Sequence, residues 1–160
     1  MKAARLHFVK NDSGAALAES AIALPLIVVI FGTIFAFGST LRNTQVLETA
    51  ARDAARYLAH TAATSANETS ARNIAVYANA AGTGTARVRG LTTGNVAISY
   101  ATVSNPISSG TGERTYRGQD PLRLVSVNIS WTAPSSALWN VFGSTPITYH
   151  AVNQQRVIGD

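Results

Sequence analysis

A run of 22 residues without a charged side chain, residues 20–41, restricts what this chain can fold into. As an α-helix with a rise of 1.5 Å per residue, the run would be about 33 Å long, which is enough to cross a hydrocarbon core of about 30 Å. Lys2, Arg5 and Lys10 precede it, and basic flanking residues favour the cytoplasmic side of a membrane. The sequence therefore predicts one membrane-spanning helix with a cytoplasmic N-terminus.

Composition argues against most enzyme classes. The chain has no cysteine, which excludes disulfide bonds, thiolate metal sites and a cysteine nucleophile. Its histidines, His7, His60 and His150, are too far apart in sequence to suggest a shared site. The glycine pairs at residues 82–84 and 110–112 do not extend into a phosphate-binding loop. We therefore expect a protein that is not an enzyme and that holds no cofactor and no metal.

The basic character of the chain suggests a second type of partner. It has 13 Lys and Arg against 8 Asp and Glu, a net charge of +5. Both lysines lie in the first ten residues and the arginines are scattered, so nucleic-acid binding is not favoured. An alternative hypothesis is an exposed domain that binds DNA or an anionic surface through arginines of its loop-rich half: Arg87, Arg89, Arg114, Arg117 and Arg123.

Glu19 is a carboxylate at the edge of the apolar run, where a charge is costly and requires a partner. Gly14 lies five positions earlier, at the end of the polar leader. Leader, spacing and apolar helix together resemble the prepilin cleavage site of type IV pilins and pseudopilins. The resemblance implies that a membrane-embedded prepilin peptidase cuts between Gly14 and Ala15. Glu19 would then be the counter-ion of a new, largely cationic α-amine.

Two other types of N-terminus are compatible with these residues. In one, Gly14 is a linker and Glu19 an interfacial residue of an uncleaved signal anchor that carries a periplasmic binding or adhesion domain. In the other, the run is a secretory signal peptide cut after Gly38, because Ala36 and Gly38 have suitable small side chains. The length of the run and of the polar leader disfavours a signal peptide.

The helix is predicted to continue beyond the apolar run, from near residue 15 to residue 63. Residues 42–63 are rich in good helix formers, and their charged side chains fall outside one apolar stripe. The members of that stripe are Leu47, Ala51, Ala54, Leu58 and Ala62. This pattern predicts a helix with a membrane half, residues 15–41, and an amphipathic half, residues 42–63.

Residues 14–60 also resemble the TadE family of minor pilins from the tight-adherence (Tad, or Flp) pilus system. The positions that carry this resemblance are Gly14, Glu19, Pro25, Phe37, Gly38, Ala50, Ala51, Arg52, Ala55, Arg56 and Tyr57. Ser20 departs from the family, which commonly has an aromatic residue there. The resemblance implies a minor pilin or pseudopilin of the bacterial inner membrane. Its partners would be the prepilin peptidase, other major and minor pilins, and an assembly platform driven by a cytoplasmic ATPase.

Three small or rigid residues of the apolar run suggest helix packing. Pro25 predicts a kink, and Gly32 and Ala36 form a pair of small residues four positions apart that would let another helix approach closely. These features are as compatible with packing in the core of a pilus as with any bundle of helices in lipid.

The remaining chain, residues 64–160, is predicted to be a periplasmic or extracellular α+β part. A capping-box pattern at Ser65 and Glu68 starts a short helix that Gly82 would stop. Alternating residues predict three strands near residues 96–100, 125–131 and 147–151, with an apolar turn at residues 138–143. The expected fold is α+β and pilin-like, with a long helix packed on a small antiparallel sheet. Residues 1–14 would be a cytoplasmic leader.

Overall fold

The computed structural model describes residues 12–134 and 147–158. Its elements in chain order are helices α1 (Asp12–Ala59) and α2 (Ser65–Tyr77), a 3₁₀ turn (Thr93–Asn95), and strands β1 (Val96–Val103), β2 (Leu122–Thr132) and β3 (Thr148–Arg156). The strands form one antiparallel sheet in the order β1-β2-β3. These elements confirm the predicted α+β, pilin-like fold. The predicted turn at residues 138–143 lies outside the described residues.

The chain forms two compact units, and the boundary between them, between Ser39 and Thr40, lies within helix α1. The described part of the first unit consists of helix alone, and its large apolar side chains are exposed. In the second unit, from Thr40 onward, α1 supplies one wall of a hydrophobic core. The two parts of this helix therefore meet different surroundings although the backbone conformation is the same.

The core of the second unit lies between the end of α1, helix α2 and one face of the sheet. Leu47 and Leu58 of α1 are 1% exposed, and the alanines between them at positions 50, 51, 54 and 55 are fully buried. Their partners in the core include Ala71, Ala75 and Val76 of α2 and Val125, Val127, Ile129 and Trp131 of β2. The predicted apolar stripe is thus confirmed from Leu47 to Leu58, whereas Ala62 lies beyond the helix and is exposed.

Helix α1 ends at Ala59, four residues before the predicted end. The N–H of His60 donates to the carbonyl of Tyr57 (3.2 Å), which tightens the last turn. The carbonyl of Ala59 accepts a hydrogen bond from the N–H of Ile158 (2.8 Å), which follows β3. A tertiary contact made by the far end of the chain therefore satisfies a carbonyl of the last turn.

Both ends of α2 differ from the prediction. Its N-cap is Thr64, whose hydroxyl accepts from the N–H of Asn67 (3.3 Å), and Ser65 is the first helical residue. The helix stops at Tyr77 because Ala78 adopts a left-handed conformation (φ 64°) and donates its N–H to Ile74 (3.0 Å). The predicted stop at Gly82 is therefore wrong by four residues.

Candidate functional site

The predicted processing site lies in the first turns of α1. Gly14 is exposed, and a Cβ built on it would meet no atom within 4 Å. The Gly14–Ala15 peptide lies within the first four residues of the helix, whose N–H groups have no partner inside the helix. Glycine also weakens a helix by about 1 kcal/mol relative to alanine. Local unwinding of this first turn therefore costs little free energy.

Glu19 lies four positions after Ala15, so that the two backbone positions share one face of α1. The Glu19 side chain is exposed, and no ion pair of this carboxylate occurs among the described residues. Next to it, the Ser20 hydroxyl donates to the carbonyl of Ala16 (2.8 Å). The carboxylate is thus available to a partner, and four positions is the separation at which side chains of one helix face interact.

After Glu19, α1 presents an apolar surface that is not covered by any of residues 12–134 and 147–158. Among the described residues, this helix holds the stretch that is long and apolar enough to cross a membrane, with a mean hydropathy of 2.5 over 18 residues and none of that window buried. The side chains of Ile22, Phe35 and Phe37 are 77%, 78% and 66% exposed. A bare apolar surface of this kind is consistent with a single-pass membrane anchor.

Three hydroxyl groups inside this apolar stretch are satisfied by the helix backbone. Besides Ser20, the Thr33 hydroxyl donates to the carbonyl of Val29 (2.8 Å) and the Ser39 hydroxyl to that of Ala36 (2.8 Å). A hydroxyl proton without an acceptor would be costly in hydrocarbon. These serine and threonine side chains therefore remain compatible with lipid.

The residues predicted for helix packing share one face of α1. Pro25, Gly32 and Ala36 are separated by seven and four positions, which are close to whole helical turns. Gly32 and Ala36 are half-buried by their own helix, whereas Pro25 is exposed. At Gly32 and Ala36 this face has little side-chain volume, a property that allows close approach of a second helix there.

The arginines of the alternative anion-binding hypothesis are partly engaged inside the second unit. Arg87 pairs with Asp53 (2.8 Å) and joins α1 to the segment after α2. Arg114 donates to the carbonyl of Asn105 (2.7 Å) and lies 3.7 Å from a carboxylate oxygen of Asp120. These two arginines stabilise the fold, which leaves a smaller basic surface than the sequence suggested.

Asn105, near the start of the long loop between β1 and β2, is a structural residue that the sequence did not reveal. Its side chain is 1% exposed, donates to the carbonyl of Tyr116 (2.7 Å) and accepts from the N–H of the same residue (3.0 Å). The Asn105 backbone N–H donates to Asp120 (2.7 Å). The loop is therefore held by a buried amide, and one asparagine among many in this chain gave no signal of that role.

Residues 12–134 and 147–158 bring together no group of three side chains of the metal-ligating types. The candidate site that the sequence predicts consists of the Gly14–Ala15 peptide bond, the Glu19 carboxylate and an apolar helix surface.

Comparison with known protein families finds a match for one part of the chain. Residues 14–56 match the family described as TadE-like protein. The match begins at Gly14 and covers the apolar stretch and most of the buried half of α1. Comparison with curated proteins and with solved structures found no match.

Proposed function

We propose that this protein, whose residues 14–56 form a TadE-like segment, is a minor pilin or pseudopilin of a Tad pilus. The TadE-like match is the observation that carries the proposal, because it associates the chain with Tad pili. The exposed apolar helix supports it independently, since a subunit that packs helix against helix must keep such a surface bare.

In this proposal, membrane insertion, cleavage after Gly14 and helix packing follow one another in time. The chain enters the inner membrane with a cytoplasmic N-terminus and a periplasmic second unit. Prepilin peptidase hydrolyses the Gly14–Ala15 bond in the weak first turn of α1. The new α-amine of Ala15 is then neutralised by Glu19 of a neighbouring subunit, while the face of Pro25, Gly32 and Ala36 packs against other pilins.

The proposed partners follow from these steps. They are the prepilin peptidase, the lipid bilayer before assembly, the major and minor pilins of the same pilus, and an inner-membrane platform driven by a cytoplasmic ATPase. The reaction is carried out on this protein by the peptidase, so we propose no enzymatic activity for it.

The mass of the mature protein tests the proposal. The protein should begin at Ala15 in cells that contain prepilin peptidase, and at Met1 in cells that lack it. Met1 under both conditions would instead indicate an uncleaved anchor with a periplasmic binding domain. Ser39 as first residue would indicate a secretory signal peptide.

Two glycine variants make the test specific. Gly14→Val should block cleavage, because the peptidase cuts after a residue without a side chain. Gly38→Val is the matched control, since Gly38 is also an exposed helical glycine with nothing within 4 Å of an added Cβ, and cleavage should be unchanged. Equal cleavage of both variants would contradict processing after Gly14.

A further inference from the structure

Arg156 stands apart from the other partly buried arginines of the described residues. That set consists of Arg72, Arg87, Arg123 and Arg156. Arg72 pairs with Glu68 (3.6 Å), Arg87 pairs with Asp53, and Arg123 also takes part in an interaction. Arg156 has neither a hydrogen bond nor an ion pair within residues 12–134 and 147–158. Its guanidinium lines the cavity described next, where an anion that enters can form charge-assisted hydrogen bonds with it.

The Arg156 side chain lines an open cavity of about 260 Å³ at the end of β3. Leu122, Val157 and Ile158 contribute apolar wall, and Arg123 contributes a second guanidinium. The cavity thus combines positive charge with an apolar lining. That combination fits a singly charged group carried on a carbon skeleton better than a free, highly hydrated anion.

Gly118 makes room for the guanidinium. A Cβ on Gly118 would overlap Nη2 of Arg156, and the backbone there has φ +130°, which side chains rarely adopt. The neighbouring carbonyls of Tyr116 and Gln119 accept from the buried Asn105 amide (2.7 and 3.4 Å). The loop is therefore held in a conformation in which Gly118 supports the Arg156 side chain.

We propose that this cavity binds a carboxylate, with the guanidinium of Arg156 as its bidentate partner. A planar guanidinium matches a carboxylate with two parallel N–H···O bonds, and the apolar wall would contact the ligand skeleton. The site lies within the second unit and does not depend on the proposed pilin function. The carboxylate can come from an amino acid or from an acidic sugar, and the experiment below separates these two sources.

The test uses the full chain, uniformly labelled with ¹⁵N, in detergent micelles. The Nε–H signal of Arg156 is identified by its loss in Arg156→Gln, and the protein is titrated with N-acetylglutamate, glucuronate and inorganic phosphate. We expect a saturable shift of this signal with at least one carboxylate, and binding of phosphate that is weaker by roughly fivefold or more. The carboxylate that binds more tightly identifies the source.

A second variant tests the site without changing the net charge of the protein. Gly118→Ala should weaken carboxylate binding by roughly fivefold or more, because the added Cβ displaces the guanidinium. Gly84→Ala is matched to it, since Gly84 also has a positive φ (+97°) but open space around an added Cβ, and it should bind as the unchanged protein does. The Trp131 indole N–H, which donates to the carbonyl of Arg89 (3.0 Å), reports whether each variant is folded.

If Gly118→Ala does not fold, Arg156→Lys replaces it. This variant keeps the charge and loses the bidentate geometry, so binding followed through the backbone amides of Gln119 and Ile158 should weaken by a similar factor. The proposal is overturned by the absence of saturable carboxylate binding, by phosphate binding of equal strength, or by unchanged affinity in these variants.

Discussion

At the scale of single residues, the burial of the Tyr100 hydroxyl is energetically unfavourable. Its hydroxyl oxygen is buried and has no hydrogen-bond partner among the described residues. Burial raises the pKa of Tyr100 above its ordinary value of about 10, and the nearby Glu68 carboxylate raises it further, whereas Arg123 and Arg72 act in the opposite direction. The native state therefore retains this proton at a pH where the unfolded chain releases it.

The raised pKa and the unpaired hydroxyl predict two effects of Tyr100→Phe. The contribution of a raised pKa to stability is fully present below the unfolded pKa of about 10 and is lost as the pH rises through the folded pKa, so the variant should lose less stability above pH 10. At neutral pH, removal of an unpaired buried hydroxyl should leave the free energy of unfolding unchanged or raise it by up to about 1 kcal/mol. Denaturant unfolding at both pH values measures these changes.

The control for this prediction is Tyr116→Phe, because the Tyr116 side chain is 57% exposed. It should change neither quantity. A clear loss of stability in Tyr100→Phe at neutral pH would show that the Tyr100 hydroxyl has a partner after all.

At the scale of elements, α2 has two candidate N-cap residues, Thr64 and Ser65. Thr64→Ala removes the hydroxyl that accepts from Asn67 and should lower the free energy of unfolding by about 1 kcal/mol. Ser65→Ala, at the position that the sequence pattern favoured, should change it by less than about 0.5 kcal/mol, since Ser65 is exposed and already helical. Chemical denaturation of the two variants decides between the caps, and the reverse order would restore the pattern-based assignment.

The buried half of α1 depends on small side chains where it meets the core. Ala54 is fully buried, so Ala54→Leu should overpack the core and lower the free energy of unfolding by about 1–3 kcal/mol. Glu48→Leu adds an apolar side chain on an exposed position of the same helix and should have little effect. Equal stability of the two variants, measured by denaturant unfolding, would mean that the core around Ala54 is loosely packed.

Elements with a strong period were predictable, and their ends were less so. The alternation of Val125, Val127 and Ile129 with polar residues predicted β2 because one face of the sheet is buried. The end of α1 depends instead on a hydrogen bond from Ile158, almost a hundred residues later, and no local pattern contains that contact. The same reason explains why Arg156 and Gly118 escaped sequence analysis, because they are neighbours only in the folded chain.

The candidate site was predictable to a different extent. Gly14 and Glu19 were found from their spacing before an apolar run, a local signal that needs no tertiary structure. Their roles in cleavage and assembly stay predictions, since both concern partners outside this chain.

At the scale of the whole molecule, membrane insertion should respond to one charge. Ile30→Arg places a cation near the middle of the charge-free run and should make insertion less favourable by about 2.5–3.5 kcal/mol, whereas Ile30→Leu should leave it unchanged. In microsomes, glycosylation of the Asn67-Glu68-Thr69 sequence reports the fraction of chains whose second unit has crossed the membrane. Identical glycosylation of both variants would argue against a membrane-spanning helix.

The hydroxyls of Ser20, Thr33 and Ser39, which donate to carbonyls of their own helix, have a consequence for the whole molecule. Their hydrogen bonds do not depend on the medium around α1. Exchange of acyl chains for the side chains of neighbouring helices is then a transfer between two oily solvents, in which these donors neither lose nor gain a partner. The free-energy cost of drawing such a helix out of a bilayer therefore contains little contribution from these three hydroxyls.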